Sequence, residues 1–302
     1  MNNTSGSMKI HVVESMGFNA EQKARLEKLG TKFFEGKPNL DGLLDRIKGA
    51  DIIAVDFAPI DEAVHKLNPG ELKLVAMPLI GTSWLPLKEA AEKGIKFCNT
   101  PDYATEGVAE YGFGLMMALT KQIYLYKDEV KPETVMALYG KTVGILGAGR
   151  IGSYFSKLAK AFGMNVILWK RGNDLKEVLD KSDVVYCALP LNEGTKGLLG
   201  DKEFSSMKKG SFFVTTSHNE IYNHDALLKV LDKNLAGAAL DLEGTEFGDY
   251  KSKVYEKFKN NKKVIITPHV AFNSDYATKR KYDILIDNIE SYIEGKPKNL
   301  VN

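Results

Sequence analysis

Short apolar runs alternate with helical patterns along the whole chain. The runs KIHVV (9–13), DIIAV (51–55) and KLVAM (73–77) are rich in β-branched residues and show little polar alternation, as strands buried on both faces do. Between them, AEQKARLEKL (20–29) and LLDRI (43–47) repeat their apolar positions at helical spacing. A second series opens with TVGIL (142–146) and continues through VILW (166–169), DVVYCAL (183–189), SFFVT (211–215), GAALD (237–241) and VIIT (264–267). Such alternation predicts parallel sheets covered by helices on both faces, and two series predict two doubly wound α/β domains.

The two series are joined by residues 100–126. There Thr100-Pro101 stops a strand, and Val108, Tyr111, Leu115 and Leu119 form one apolar stripe of a long helix. A further helical run covers 276–294. Residues 1–7 are small and polar and read as a disordered leader.

Composition narrows the function classes. A chain of 302 residues with 44% hydrophobic and 26% charged residues is long enough for two domains and excludes disordered or disulfide-scaffold classes. Forty-one basic against 39 acidic residues leave a charge of +2, which offers no broad electrostatic footprint for nucleic acid or an anionic membrane. The longest apolar stretch, 111–119, is about half of the ~20 residues that span a bilayer, so no membrane partner is expected. Cys98 and Cys187 show no metal-ligand spacing, which points to a reducing compartment, the cytoplasm, and to no metal site.

The strongest chemical signal is Gly147, Gly149 and Gly152, a GxGxxG placed between a strand and a helix that opens at Arg150 and Ile151. The first glycine permits the tight turn, the second lets backbone approach a pyrophosphate, and the third lets helix and sheet pack closely. Free N–H groups and the positive helix end then face the phosphates of a dinucleotide. At the end of the next strand, where a carboxylate would bind the ribose hydroxyls of NAD(H), stand Lys170 and Arg171. These cations favour a 2′-phosphate, so NADP(H) is the expected cofactor, with NAD(H) the other possibility.

His269 follows the last strand in TPHV, and Asp241, Glu243 and Glu246 lie at and after the strand before it. A carboxylate beside an imidazole raises its pKa and holds one tautomer, as a proton donor to a carbonyl requires. His11, His65 and His224 have no such setting.

The order GxGxxG, TTSHNE (215–220), AALDLEGTE (238–246) and TPHVAFN (267–273), preceded by the segment 79–110, resembles the D-isomer-specific 2-hydroxyacid dehydrogenase family over almost the whole chain. The resemblance implies a Rossmann-type cofactor domain at 98–274 and a flavodoxin-like substrate domain at 8–97 plus 275–302. It implies His269 as general acid/base, Glu246 as its acidic partner, and Asp241 as the carboxylate on the nicotinamide amide. Ile80 and Gly81 would bind the carboxylate of a small 2-oxo or 2-hydroxy acid. Thr105, Leu189, Pro190, Thr195, Thr216 and Ser217 would contact the cofactor, and a homodimer is implied by the same likeness. Trp84, Phe272 and Tyr276 are candidates for the walls of the substrate pocket.

One departure concerns Lys170, which stands where the family has an acid. The other concerns His218, which stands where the family has an Arg that pairs with the substrate, and Asn219 and Glu220 replace the following glycines. Imidazole offers one useful donor where guanidinium offers a charged fork. His218 is therefore expected to donate to the substrate more weakly. The altered motif also admits a second reading, a non-catalytic NAD(P)-sensing regulator on the same fold, and a third in which formate or phosphite is the hydride donor.

Overall fold

The computed structural model describes residues 8–82, 84–125, 134–242 and 253–302, which divide into two compact units. The first unit begins with strands β1 (Ile10–Val12), β2 (Lys32–Phe33), β3 (Ile52–Ala54), β4 (Leu74–Ala76) and β5 (Lys96–Cys98). They alternate with helices α1 (Ala20–Lys28), α2 (Leu40–Ile47), α3 (Ile60–Lys66) and α4 (Leu87–Glu92). The second unit, Thr105–Ser274, starts with α5 (Thr105–Thr120) and β6 (Thr142–Leu146). It continues through α6 (Arg150–Ala161), β7 (Asn165–Trp169), α7 (Leu175–Lys181), β8 (Val184–Cys187), α8 (Asp201–Ser205), β9 (Phe212–Thr215), α9 (His224–Lys233), β10 (Gly237–Asp241), α10 (Lys253–Phe258) and β11 (Val264–Thr267). The chain then returns to the first unit with α11 (Asp275–Ile293).

Both sheets are parallel throughout. The first has the order β2-β1-β3-β4-β5, the flavodoxin-like arrangement, and the second β11-β10-β9-β8-β6-β7, a Rossmann-type arrangement. Strand period explains how each sheet buries two faces. In the first sheet Val13, Ile53, Val55, Val75 and Phe97 pack on α2, α3 and α4 through Leu43, Ile47 and Val64. Their neighbours Ile10, Val12, Ile52, Ala54, Leu74 and Ala76 pack on α1 and α11 through Leu26, Leu285 and Ile289. The second sheet repeats the scheme, with Val143, Ile145, Tyr186 and Val214 against α5 and α6, and Leu146, Val185, Cys187 and Phe213 against α7, α8 and α9.

The structure corrects the expected domain boundary. Residues 98–104 belong with the first unit rather than with the cofactor domain. Asn99 N–H donates to Asn299 O at 3.1 Å, Asn288 Nδ2 donates to Asn99 O at 2.8 Å, and Thr100 N–H donates to Leu79 O at 2.9 Å. These bonds fasten the segment to its own sheet and to the end of the chain. Strands β2 and β5, which the apolar pattern does not announce, hold only two and three residues, and each lies at an edge of the sheet.

One buried carboxylate ties the first sheet together at its carboxyl edge. Glu14, just past β1, accepts hydrogen bonds at one oxygen from the N–H groups of Asp56 (2.9 Å), Phe57 (3.0 Å) and Ala58 (2.9 Å), just past β3. Replacing Glu14 with Ala leaves three inward N–H groups without an acceptor, each worth about 1–3 kcal/mol when buried. Urea unfolding should therefore show Glu14→Ala less stable by about 2 kcal/mol or more, with Glu14→Gln, which keeps an acceptor oxygen, in between.

Candidate active site

The turn between β6 and α6 is shaped by glycines for two different reasons. Gly147 has φ +110°, and a Cβ there would stand 2.6 Å from the carbonyl oxygen of Ala188. A Cβ on Gly152 would overlap the carbonyl oxygen of Gly147. These two glycines are demanded by the chain itself. Gly149 is not, because it has an ordinary φ of −72° and a Cβ there would meet nothing within 4 Å. Open space at the cap of a helix is what an approaching pyrophosphate needs.

The start of α6 fits an anion in a second way. Gly149 supplies no side-chain cap, and the first turn contains no acid but opens with Arg150. The other described α-helices carry at least one Asp or Glu in their first turn. Here the positive end of the helix is left for an external negative charge. Its position is the switch point of the second sheet, where β6 lies between β7 and β8 and the crevice opens at the carboxyl ends.

Beside it, the expected cofactor-side residues hold one another. Ser217 Oγ accepts from Leu189 N–H at 2.8 Å and donates to Cys187 O at 3.1 Å. Thr195 Oγ1 donates to Pro190 O at 2.6 Å and accepts from Asn192 N–H at 2.9 Å. Thr216 Oγ1 lies 2.8 Å from Tyr186 Oη. These hydroxyls thus fix the loop after β8, with the Leu189 side chain lying close to Gly147.

At the end of β7, Trp169 Nε1 donates to Asn173 O at 3.0 Å and closes the turn that exposes Lys170 and Arg171. Arg171 donates to Asn192 Oδ1 at 3.4 Å, so its guanidinium reaches across to the loop after β8. The nearby acid, Asp174, is committed to capping α7 through Lys176 N–H at 2.9 Å.

His269 follows β11 with φ +49°, a left-handed backbone that a non-glycine residue adopts at a cost of about 1–3 kcal/mol. Buried Asp241 holds it there. Its two oxygens accept from Thr267 Oγ1 (2.6 Å), Val270 N–H (3.1 Å) and Ala271 N–H (2.9 Å), a bracket around residue 269. Sequence alone offers no hint of this clamp, because nothing in GAALD or TPHV shows which hydrogen bonds will form between the two strand ends. The His269 ring meets Phe272 edge-on at 5.5 Å and hydrogen-bonds to no described residue. Glu243 and Glu246 lie outside the described residues.

His218 caps a short 3-10 turn, Asn219–Ile221, and its Nδ1 accepts from Glu220 N–H at 3.1 Å. A backbone N–H can only donate, so Nδ1 is the acceptor in this contact. Glu220 pairs with Lys196 at 2.7 Å, which holds its carboxyl below the usual range.

In the first unit, Ile80 and Gly81 follow β4. Their segment is fastened through its carbonyls, since Thr100 N–H donates to Leu79 O at 2.9 Å and Asn99 Nδ2 donates to Ile80 O at 2.8 Å. Neither residue donates its N–H to a described residue, and both are exposed. Thr105 opens α5. His11 and His65 stand apart, bonded to Arg46 O and to Glu89.

Comparison with known proteins adds to this geometry. A model described as "D-isomer specific 2-hydroxyacid dehydrogenase, NAD binding domain" matches residues 113–271. A glycerate dehydrogenase of Methylorubrum extorquens is 30% identical over 89% of this chain and 91% of its own length. A glyoxylate reductase of Korarchaeum cryptofilum is 30% identical over 89% and 87%. Among solved structures, an acyclic imino acid reductase in complex with NADPH and D-Arg superposes with a TM-score of 0.80 at 26% identity, covering 98% of this chain and 100% of that one. A D-isomer specific 2-hydroxyacid dehydrogenase from Lactobacillus delbrueckii, in an NAD-complexed form, gives 0.83 at 22% identity over 97% and 100% and shows the shared fold.

The two glycine roles are separable by experiment. Gly152→Ala should lower stability in thermal unfolding by about 1–3 kcal/mol through overpacking. Gly149→Ala should unfold close to the wild type yet bind NADPH at least tenfold more weakly in a fluorescence titration.

Proposed function

The chain belongs to the D-isomer-specific 2-hydroxyacid dehydrogenase family and reduces small 2-oxo acids with NAD(P)H, and we propose that it is a hydroxypyruvate or glyoxylate reductase that prefers NADPH. The observation that carries the reading is the set of groups gathered at the carboxyl edge of the second sheet, from the open Gly149 turn to the clamped His269.

The β6–α6 turn and the loops after β8 and β9 would hold the dinucleotide, with Asp241 near the nicotinamide amide. Bound there, it supplies the hydride that reduces the carbonyl carbon. In the first unit Ile80 and Gly81 would offer their N–H groups to a carboxylate, and in the second unit His218 would offer a donor to a carbonyl oxygen. His269 delivers the proton that turns this oxygen into a hydroxyl, with Glu246 as its acidic partner. Holding the backbone of His269 in a left-handed conformation would fix where its side chain leaves the chain and so lower the cost of ordering it in the transition state.

Lys170 and Arg171 support the NADPH preference, because the nearby carboxylate of Asp174 is tied to a helix cap and the end of β7 presents two cations. The regulator reading rests only on TTSHNE, and no further observation favours it. The proposal extends to a cytoplasmic homodimer. Cys98 and Cys187 are both free and buried, and the second unit exposes Ile123, Tyr139 and Phe162. Light scattering on the purified protein should give twice the mass of one chain.

A steady-state assay with glyoxylate, hydroxypyruvate and pyruvate tests the proposal. NADPH should be consumed in a substrate-dependent manner, with kcat/KM at least tenfold above that for NADH. His269→Ala should lower kcat by about a hundredfold or more. Binding of NADPH without turnover would favour the regulator.

A further inference from the structure

Two successive peptide groups after β4 are held by their carbonyls, and this fixes where their N–H groups point. Leu79 O accepts from Thr100 N–H at 2.9 Å and from Thr100 Oγ1 at 3.3 Å. Ile80 O accepts from Asn99 Nδ2 at 2.8 Å. In a trans peptide the C=O and N–H bonds lie in one plane and point in opposite directions. The Ile80 N–H, which shares its plane with Leu79 O, therefore points away from Thr100, and the Gly81 N–H points away from the Asn99 amide. Neither N–H donates to a described residue, and a Cβ on Gly81 would meet nothing within 4 Å. Adjacent N–H groups facing open space make a seat for an anion.

The two anchors differ in kind. Thr100 is fully buried and grips Leu79 through its backbone as well as its hydroxyl. Asn99 grips Ile80 through its side chain alone. The backbone of Asn99 is itself held on both sides, since its N–H donates to Asn299 O at 3.1 Å and its carbonyl accepts from Asn288 Nδ2 at 2.8 Å. Asn299 Nδ2 donates in turn to Asn288 Oδ1 at 2.8 Å, and Asn288 of α11 is 2% exposed. This triangle of asparagines is a fixed base from which the Asn99 amide reaches the loop. Its target needs such a hold. The Ile80–Gly81 peptide ends on a glycine, whose backbone turns more freely than that of other residues, and the half-exposed Ile80 gains little from packing.

We propose that Asn99 is a positioning residue, which holds the Ile80 carbonyl and so keeps the Gly81 N–H aimed at an incoming carboxylate. The proposal rests on the functional reading above, with Ile80 and Gly81 as the carboxylate subsite. Without the Asn99 amide the peptide turns, and its carbonyl oxygen then faces the ligand and repels it. Binding of every carboxylate weakens by a common factor, because the rest of the ligand is not involved. The dinucleotide, for which the β6–α6 turn of the second unit is the seat in that reading, binds as before.

The test compares wild type, Asn99→Ala and Asn99→Asp in three measurements: NADPH-dependent kinetics with glyoxylate and hydroxypyruvate, calorimetric titration of oxalate into the NADPH-bound protein, and thermal unfolding of the unliganded protein. Asn99→Ala should raise both KM values and the oxalate Kd together, by about tenfold, as expected for one lost hydrogen bond to a charged group. The change in kcat should stay within about threefold, the pattern of lost ground-state binding, and NADPH affinity and Tm should stay near wild type. Asn99→Asp, which keeps the shape, loses the donor and serves if the alanine variant folds poorly, should weaken carboxylate binding at least as much. KM values and an oxalate Kd unmoved in both variants overturn the proposal. So does a loss of NADPH affinity and Tm in step with KM, the mark of a merely structural asparagine, and so does a fall in kcat larger than the rise in KM. A wild type that neither reduces the two acids nor binds oxalate overturns the functional reading, and this inference with it.

Discussion

A parallel sheet sends the carboxyl end of each of its strands to one edge, and the chemistry of this protein depends on that constraint. Gly147, Leu189, Ser217, Asp241 and His269 are scattered over more than a hundred residues, yet each follows or ends a strand of the same sheet. Helices cover both faces and leave the edge as the place where polar groups can meet a ligand without disturbing the core. In the first sheet Glu14, Asp56 and Ile80 collect at an edge for the same reason.

What the edge costs is visible in its buried charges and its backbone. Asp241 lies almost fully inside the protein, and three donors, Thr267 at the end of β11 and two backbone N–H groups of the loop after it, compensate its desolvation. Those same bonds hold His269 in a conformation that an isolated residue would leave. Glu14 does the equivalent work in the first unit, where three backbone donors end on one oxygen. Each carboxylate converts a flexible strand-to-loop exit into a fixed one, so side chains nearby are aimed before any ligand arrives.

His218 shows how a side chain that caps its own turn is limited in what it can offer a ligand. Its Nδ1 receives the Glu220 N–H, which caps the turn and commits one of the two ring nitrogens. A guanidinium would bring permanent charge and a forked pair of donors. A charge-assisted hydrogen bond is worth on the order of 1.5–3 kcal/mol, which is the scale of the difference between the two groups.

Local pattern determined a good deal. The buried strands, the amphipathic helices, the glycine turn and the absence of an acid beside Lys170 are all readable in sequence, because each depends on residues within a few positions of one another. Edge strands β2 and β5 are not, since KF and KFC each open on an exposed lysine and lack the longer apolar run that marks their neighbours. Nor is the exit of the chain from the first unit after residue 104, which depends on hydrogen bonds to Asn288 and Asn299 at the far end of the sequence. Only the tertiary structure decided that Asp241 would bracket His269 and that Asp56 would come within 3.8 Å of Lys281 of α11. Those outcomes follow from strand register and side-chain direction, which bring distant groups within 3 or 4 Å and which no local periodicity encodes.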